Sequence, residues 1–327
     1  MFKAWLVTND ESGYKADFRE LNEERLPDDD VTVRVSQSSM NYKDALALTG
    51  RAPVVRKFPM VPGIDLGGVV ETSSNPAFKA GDEVILNGRG LGEDHWGGFS
   101  ELACVKSEWL IHRPKAFTLA QCMALGTAGY SAMLAVLALE KNGLTPSSGQ
   151  ILVTGASGGV GGFSIALLST LGYEVVASTG RLEETPYLKS LGATEVIDRA
   201  QFSGPGEALG KERWAGAIDN AGSHTLANVC STLKSGGVVA ACGMAQGIDF
   251  PASVAPFIVR GVTLAGIDSV TCPMTQRLAA WERLAIDMKP KYITMIAGQH
   301  RPLSEALNTA KDILGGRIRG RVIIDID

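Results

Sequence analysis

Three glycines recur at every third position in the middle of the chain, at Gly155, Gly158 and Gly161. They follow the apolar run Ile151-Leu152-Val153 and precede a segment with helical periodicity. Glycines let a backbone turn tightly and approach a pyrophosphate, whose charge is met by amide groups at a helix N-terminus. This context predicts a dinucleotide-binding loop, and a turn that only packs a helix against a strand is the alternative. The predicted contacts are Gly155, Ser157, Gly158, Gly159, Val160 and Gly161.

The end of the next predicted strand distinguishes between NAD and NADP. An NAD site usually has an acidic residue about 20 residues further on, which accepts from the ribose hydroxyls. Here the segment Ser178-Thr179-Gly180-Arg181 contains no acid. A 2′-phosphate could pair with Arg181 and accept from the hydroxyls of Ser178 and Thr179, and Arg199 could reach the same phosphate or stack on the adenine. The pattern predicts NADPH, with a solvated charge at a helix start as the alternative for Arg181.

The elements around this loop predict a parallel sheet. Apolar strands are expected at 151–153, 174–178, 195–197, 217–219, 238–242 and 262–264, with helices at 160–171 and 184–191. Continuous apolar strands separated by helices are typical of a doubly wound α/β fold.

The rest of the chain predicts a second, β-rich domain. Short strands are expected at 31–35, 68–71 and 83–86, two helices with a kink over 118–139, and a last strand at 321–326 that returns to the first domain. We therefore predict a first domain over 1–120, joined by the tail from about 296–327, and a dinucleotide-binding domain over 121–295.

The amino-acid composition limits the classes of partner that the protein is expected to bind. With 31 Lys and Arg against 35 Asp and Glu, the net charge is −4, so neither nucleic acid nor an anionic membrane is expected to bind. No signal peptide is predicted, and no apolar stretch is expected to reach the roughly 18 residues that span a bilayer. The 5 cysteines are scattered, without a C-x-x-C pair, which favours reduced thiols and a cytoplasmic location.

Six motifs, together with the order of the domains, carry a family resemblance. They are Asn41-Tyr42-Lys43-Asp44, Pro62-Gly63-Ile64-Asp65, His95-Trp96-Gly97-Gly98, Gly126-Thr127-Ala128-Gly129-Tyr130, Leu188-Lys189-Ser190-Leu191-Gly192-Ala193 and Ala240-Ala241-Cys242-Gly243. The chain resembles, over essentially its whole length, the acrylyl-CoA reductase (NADPH) branch of the medium-chain dehydrogenases and reductases. Members of that branch are also named quinone oxidoreductases. The resemblance implies an α/β fold, with a Rossmann doubly wound parallel sheet plus a β-rich GroES-like domain, and a homodimer.

The metal ligands of the zinc-dependent relatives are missing from this sequence. Those relatives bind the catalytic zinc with a Cys, a Gly-His-Glu segment and a further Cys. The corresponding places here read Met40-Asn41 and Gly63-Ile64-Asp65, so no metal is expected. His95 has no second ligand at a suitable spacing and is interpreted as a loop anchor.

The resemblance implies NADPH-dependent reduction of an activated C=C bond, most specifically conversion of acryloyl-CoA to propionyl-CoA. Two alternatives stay open. The same hydride transfer could reduce a quinone or a free α,β-unsaturated carbonyl, or the chain could be a non-enzymatic NADPH-binding protein that has kept the fold.

The resemblance also implies roles for single residues. Tyr42 would lie against the cofactor, as a packing partner or a proton donor, with bound water as the other candidate donor. Asn41 would be an amide donor facing the nicotinamide, and Thr127 would line the same pocket. Further cofactor contacts are implied at Met244, Ile258, Ser269 and Gly316. Four basic residues could meet the phosphates of CoA, namely Arg51, Arg56, Lys57 and Arg89.

Overall fold

The computed structural model describes residues 1–11 and 13–326. Contacts divide the chain into two units. The first unit comprises Met1–Thr127, Ser269–Ala285 and Ile293–Asp327, and the second comprises Ala128–Asp268 and Ile286–Tyr292.

The strands and helices are numbered in chain order. The strands are β1 (Phe2–Asp10), β2 (Gly13–Leu21), β3 (Val31–Met40), β4 (Asp65–Ser73), β5 (Glu83–Asn87), β6 (Leu102–Val105), β7 (Ile111–His112), β8 (Ile151–Val153), β9 (Val175–Thr179), β10 (Glu195–Asp198), β11 (Trp214–Asp219), β12 (Leu233–Ala241), β13 (Thr263–Gly266), β14 (Gln299–Pro302) and β15 (Val322–Asp325). The helices are α1 (Tyr42–Thr49), α2 (Leu119–Lys141), α3 (Gly159–Thr170), α4 (Thr185–Leu191), α5 (Ser223–Thr232), α6 (Ala255–Val259), α7 (Met274–Asp287), α8 (Pro290–Ile296) and α9 (Ala306–Leu314).

The first unit is built on a sheet in the order β14-β15-β3-β4-β5-β7, in which β6 also pairs with β3. Strand β15 runs antiparallel to β3, with Val322 opposite Met40. The prediction that the last strand returns to the first domain is therefore confirmed. Buried Val31, Val33 and Val35 alternate along β3 and join one apolar core with residues of β15. This alternation is what fixes the register of a sheet with one buried face.

The second unit contains six parallel strands in the order β10-β9-β8-β11-β12-β13. This is the 3-2-1-4-5-6 order of a doubly wound dinucleotide-binding sheet. Its central strands are wholly buried apolar runs, as strands covered on both faces should be. The predicted fold class, a Rossmann sheet plus a β-rich GroES-like domain, is confirmed.

Helix α7 is assigned differently from the sequence prediction, which placed it in the 121–295 domain. The segment Ser269–Ala285 belongs with the first unit. Its Arg277 is 1% exposed, and the guanidinium donates to the backbone oxygens of Asn87 (2.6 Å) and Ser269 (3.0 Å). Buried arginine donors seldom lack acceptors, so these bonds hold α7 against the end of β5.

The prediction that no apolar stretch is long enough to cross a membrane is wrong for helix α2. By length and composition it qualifies, but 83% of its most apolar window is buried within the protein. The helix is also interrupted at Gly126, where φ is 48° and ψ is −153°. The predicted kink is confirmed, and the burial is that of a core helix.

Candidate functional site

The glycine loop turns sharply between β8 and α3. Gly155 has a φ of 59°, and a β-carbon on Gly161 would lie 2.4 Å from the Gly155 oxygen. No side chain larger than hydrogen fits at position 161, so the loop packs directly on the first turn of α3. Helix α3 begins at Gly159, after Gly158 in the N-cap position. Its first-turn amide groups lack partners within the helix, and this arrangement fits a pyrophosphate.

Two hydrogen bonds attach the loop to β9. The Ala156 amide donates to the Ser178 oxygen (3.1 Å), and the hydroxyls of Ser157 and Thr179 are 2.8 Å apart. The loop and the end of β9, both predicted to bind the cofactor, are therefore brought together within the second unit.

Two arginines follow neighbouring strands, Arg181 after β9 and Arg199 after β10. The guanidinium of Arg181 donates to the Ser157 oxygen (3.3 Å), and its amide donates to the Thr179 hydroxyl (3.1 Å). Arg199 lies over Gly180, where a β-carbon would be 2.4 Å from its Nε. Glycine at position 180 thus makes room for the Arg199 side chain next to the segment that carries Arg181, and two cations near the end of β9 fit a 2′-phosphate.

Ser178 does not lie exposed beside the two arginines. Its side chain is 1% exposed, and its hydroxyl has no hydrogen-bond partner among residues 1–11 and 13–326. Its position therefore gives no support to the predicted role of this hydroxyl in binding the phosphate.

The other predicted cofactor contacts are divided between the units. Met244 and Ile258 lie in the second unit and are 69% and 77% exposed. Ser269 and Gly316 lie in the first unit, and Gly316 has a φ of 69° in the turn that ends α9. All four contacts stay predictions.

In the first unit, Tyr42 and Asn41 lie at the start of α1. Asp44 accepts from the Asn41 backbone amide at 2.9 Å, which caps the helix. Tyr42 is the first helical residue and its side chain is 52% exposed. An exposed aromatic ring at this point is available to a ligand, as the resemblance implies.

Asn41 faces inward. Its Oδ1 accepts from Arg321 at 2.7 Å, while its Nδ2 donates to Asp65 at 2.8 Å and to Asp44 at 3.0 Å. An amide nitrogen has two hydrogens, so both are engaged by carboxylates. Neither amide hydrogen of Asn41 is free in this structure, and its predicted role as a donor to the nicotinamide stays a prediction.

Asp65 is the centre of this buried network, which we call the Asp65 cluster. Its members are Ser39, Asn41, Asp44, Asp65, Asn87, Thr127 and Arg321. Asp65 is 0% exposed and accepts from Ser39 (2.6 Å), Asn87 (2.6 Å) and Thr127 (2.6 Å). Arg321 forms an ion pair with it at 3.4 Å, and the side chains are only 4% and 0% exposed. A buried carboxylate is tolerated because each oxygen has several donors and a counter-ion.

The break in α2 belongs to this cluster. A β-carbon on Gly126 would lie 2.5 Å from Arg321 Nη2 and 2.7 Å from Asp65 Oδ2. The non-helical turn directs the Thr127 amide to both Asp65 oxygens, each at 3.0 Å. The Thr127 hydroxyl also donates to Asp65, so its oxygen can only accept from a ligand.

The pKa of Asp44 is raised to about 7, chiefly by burial and then by the negative charge of Asp65. The bonds donated by Asn41 and Ile64 act in the opposite direction. Below about pH 7 the cluster then has one carboxylate charge opposite the single guanidinium of Arg321, so no buried charge is left unpaired.

The Asp65 cluster does not fit a zinc ion. The carboxylate oxygens of Asp65 are occupied by N–H and O–H donors, and Arg321 brings a positive charge to within 3.4 Å. Across residues 1–11 and 13–326, no group of three or more His, Cys, Asp or Glu side chains could hold a metal. The described residues therefore offer no ligand set for a zinc-bound mechanism.

Sequence reasoning missed Arg321 and the central position of Asp65. The signal was present, since each is a charged residue beside an otherwise apolar run, Leu66 to Val70 for Asp65 and Val322 to Ile324 for Arg321. A charge that is buried with a strand needs a partner, but the sequence does not say which one.

Two family models match the chain. The alcohol dehydrogenase GroES-like domain matches residues 27–115, and the zinc-binding dehydrogenase model matches residues 159–286. With the six-stranded parallel sheet and the glycine loop, these matches define the class. The chain belongs to the medium-chain dehydrogenase/reductase superfamily, as predicted.

Individual relatives match over the full length. A protein from Escherichia coli K12 named probable acrylyl-CoA reductase AcuI is 48% identical over 99% of this chain and 100% of its own. YhfP from Bacillus subtilis, named as a quinone oxidoreductase, is 44% identical over 100% of this chain and 99% of its own.

Solved structures agree with the fold. The YhdH oxidoreductase of Salmonella enterica in complex with NADP superposes with a TM-score of 0.97 at 45% identity, over 99% of this chain and 100% of the other. The Bacillus subtilis YhfP structure with NAD bound gives a TM-score of 0.94 at 44% identity, over 99% of both chains.

Proposed function

We propose that this chain reduces the conjugated C=C bond of a short enoyl-CoA thioester, with acryloyl-CoA giving propionyl-CoA. The observation that carries the proposal is the full-length similarity, at 48% identity, to a relative named for acrylyl-CoA reduction. The ion pair of Asp65 with Arg321 supports it, because Asp65 lies in the segment that the resemblance matches to the Gly-His-Glu ligand segment of the zinc relatives, and its carboxylate is engaged by a cation instead. At the coarser level the chain is an NADPH-dependent oxidoreductase, rather than a non-enzymatic protein that has kept the fold.

The residues of the second unit fit NADPH. The loop from Gly155 to Gly161 would hold the pyrophosphate, and Arg181 and Arg199 would hold the 2′-phosphate. When bound, NADPH supplies the hydride that adds to the β-carbon of the thioester. The chain itself must orient the reactants and exclude water.

The first unit contributes orientation. The exposed ring of Tyr42 gives a surface for packing, and Thr127 would accept a hydrogen bond from a carboxamide N–H, since its own hydrogen is bound to Asp65. Asn41 holds the start of α1 in place through Arg321 and Asp65.

The test is a comparison of substrates. We expect kcat/KM, measured from the consumption of NADPH, to be highest with acryloyl-CoA, lower with crotonyl-CoA and lowest with a small quinone. With NADPH deuterated at the transferred position, mass spectrometry and NMR should find the deuterium only at the β-carbon of propionyl-CoA. Reduction of the quinone without reduction of either thioester would contradict the proposal and favour the alternative that the name of the Bacillus subtilis relative suggests.

A second experiment separates the two roles of Tyr42. We expect Tyr42→Phe to leave kcat nearly unchanged, because phenylalanine keeps the packing ring and a water can deliver the proton to the α-carbon. Tyr42→Ala should weaken NADPH binding, measured by fluorescence titration. A fall in kcat of about 10²-fold or more in Tyr42→Phe, with NADPH affinity kept, would instead identify Tyr42 as the general acid.

We also propose a homodimer located in the cytoplasm. Strand β13 lies at one edge of the six-stranded sheet, and large apolar side chains near it are exposed, at Val254 (68%), Ile258 (77%) and Val259 (67%). An exposed strand edge beside apolar side chains is suited to pairing with a second copy. The 5 free cysteines are consistent with a reducing compartment.

A further inference from the structure

Arg89 has an unusual backbone conformation. It lies between Gly88 and Gly90, and its φ of 57° places it in the left-handed region. L-residues with long side chains are uncommon there, because the β-carbon approaches the backbone carbonyl. Its amide donates to the Val270 oxygen at 3.2 Å, and the Gly90 oxygen accepts from the Glu93 amide at 3.0 Å. The surrounding loop therefore holds Arg89 in a conformation that its own backbone disfavours.

The side chain of Arg89 is partly buried and lacks acceptors. Its Nε is buried without a hydrogen-bond partner, and within the described parts of the chain, 1–11 and 13–326, its guanidinium forms no ion pair. Buried polar groups nearly always have partners, and an arginine cannot lose its charge to avoid the cost. A strained arginine with unused donors is thus suited to an acceptor that arrives from outside the protein.

The acidic residues of the same loop are already neutralised. Glu93 is buried and pairs with Lys43 at 2.8 Å and with Arg56 at 2.5 Å. Asp94 is 3.6 Å from Arg56. The loop therefore offers Arg89 no carboxylate that is free of another cation.

Arg89 is connected through its own loop to the residues proposed for the reaction, all within the first unit. Two residues earlier, Asn87 donates to Asp65 at 2.6 Å, and Asp65 in turn holds Asn41 and Thr127. Val270, to which Arg89 is bonded, follows Ser269, a proposed cofactor contact. A ligand that reaches this part of the first unit would meet the guanidinium.

We propose that Arg89 binds an anionic oxygen of the substrate, and that this oxygen belongs to a phosphate group of coenzyme A. The inference rests on the proposed function. The acyl group of acryloyl-CoA is uncharged, whereas its carrier has a diphosphate and a 3′-phosphate, and a guanidinium matches phosphate oxygens in a bidentate manner. Two exposed cations of the same unit, Arg51 and Lys57, add to the positive charge.

The experiment compares acryloyl-CoA with acryloyl-pantetheine, which has the same thioester and no phosphate, at saturating NADPH. In Arg89→Met we expect the KM for acryloyl-CoA to rise tenfold or more, equivalent to about 1.4 kcal/mol, with kcat kept. The KM for acryloyl-pantetheine should not change. The matched control is Arg301→Met, which removes an exposed charge from the same unit and should alter KM only slightly and in a salt-dependent way.

The variant Arg89→Gly is the control for correct folding. Glycine adopts a φ of 57° without strain, so its melting temperature should equal or exceed that of the unmodified protein, while its KM for acryloyl-CoA rises as in Arg89→Met. An equal rise in KM for both thioesters, or a loss of kcat alone, would overturn the assignment to a phosphate.

Failure of the proposed function gives a different result. If the unmodified protein reduces neither thioester, CoA and inorganic pyrophosphate are titrated into the NADPH-loaded protein by calorimetry. Weaker binding of both by Arg89→Met would support an anion site at Arg89 without the enoyl-CoA reaction. Equal affinities of the unmodified protein and Arg89→Met, or no binding of either ligand, would overturn the inference.

Discussion

Asp65→Ala is expected to destabilise the protein by about 3–5 kcal/mol, the usual cost of removing one partner of a buried ion pair. The carboxylate is 0% exposed and accepts from Ser39, Asn41, Asn87 and Thr127 as well as from Arg321. Its removal leaves Arg321, which is 4% exposed, charged and without its counter-ion. The measurement is the free energy of unfolding from urea denaturation.

The matched control is an exposed ion pair of the same unit. Arg34 and Glu71 are 2.7 Å apart with side chains 61% and 40% exposed, so Glu71→Ala should cost no more than about 1 kcal/mol. The double variant Asp65→Leu/Arg321→Met should cost less than the sum of its single changes, because no unpaired charge remains. Equal unfolding midpoints for Asp65→Ala and Glu71→Ala would show that the Asp65 cluster adds no stability.

Arg181→Ala is expected to weaken NADPH binding at least tenfold, or about 1.4 kcal/mol, and to leave NADH binding nearly unchanged. The unmodified protein should bind NADPH at least tenfold more tightly than NADH. The reason is that the guanidinium, placed at the end of β9 beside Ser157, can pair with a 2′-phosphate that NADH lacks. Dissociation constants for both cofactors, from fluorescence titration, provide the measurement.

A control arginine in the same unit is available in Arg213, which pairs with Glu195 at 2.7 Å and stacks over Trp214. Arg213→Ala should leave both cofactor affinities unchanged. The comparison of NADPH with NADH is needed because the structure of the YhfP relative, which is 44% identical to this chain, has NAD bound. Equal affinities for NADPH and NADH in the unmodified protein would refute the role given to Arg181.

The sequence alone predicted the six strands of the second unit and its helices α3 and α4. Its strands are short apolar runs and its glycine loop has a fixed spacing, so both signals lie within a few residues of the chain. The boundaries of β8 agree with the prediction, and helix α3 differs from it by one residue at each end. Such a motif can be predicted from the sequence because local steric requirements, such as the absence of space for a β-carbon at Gly161, restrict which residues can occupy it.

Other features were decided only by the tertiary structure. Arg321 and Asp65 are 256 residues apart in sequence, and both are bonded to the side-chain amide of Asn41. Ser178 was grouped with Arg181 by proximity in sequence, yet it is buried, because β9 is covered on both faces of the sheet. A buried charge selects its partner through desolvation and the geometry of the whole core, and this energy is not encoded in any short stretch of residues.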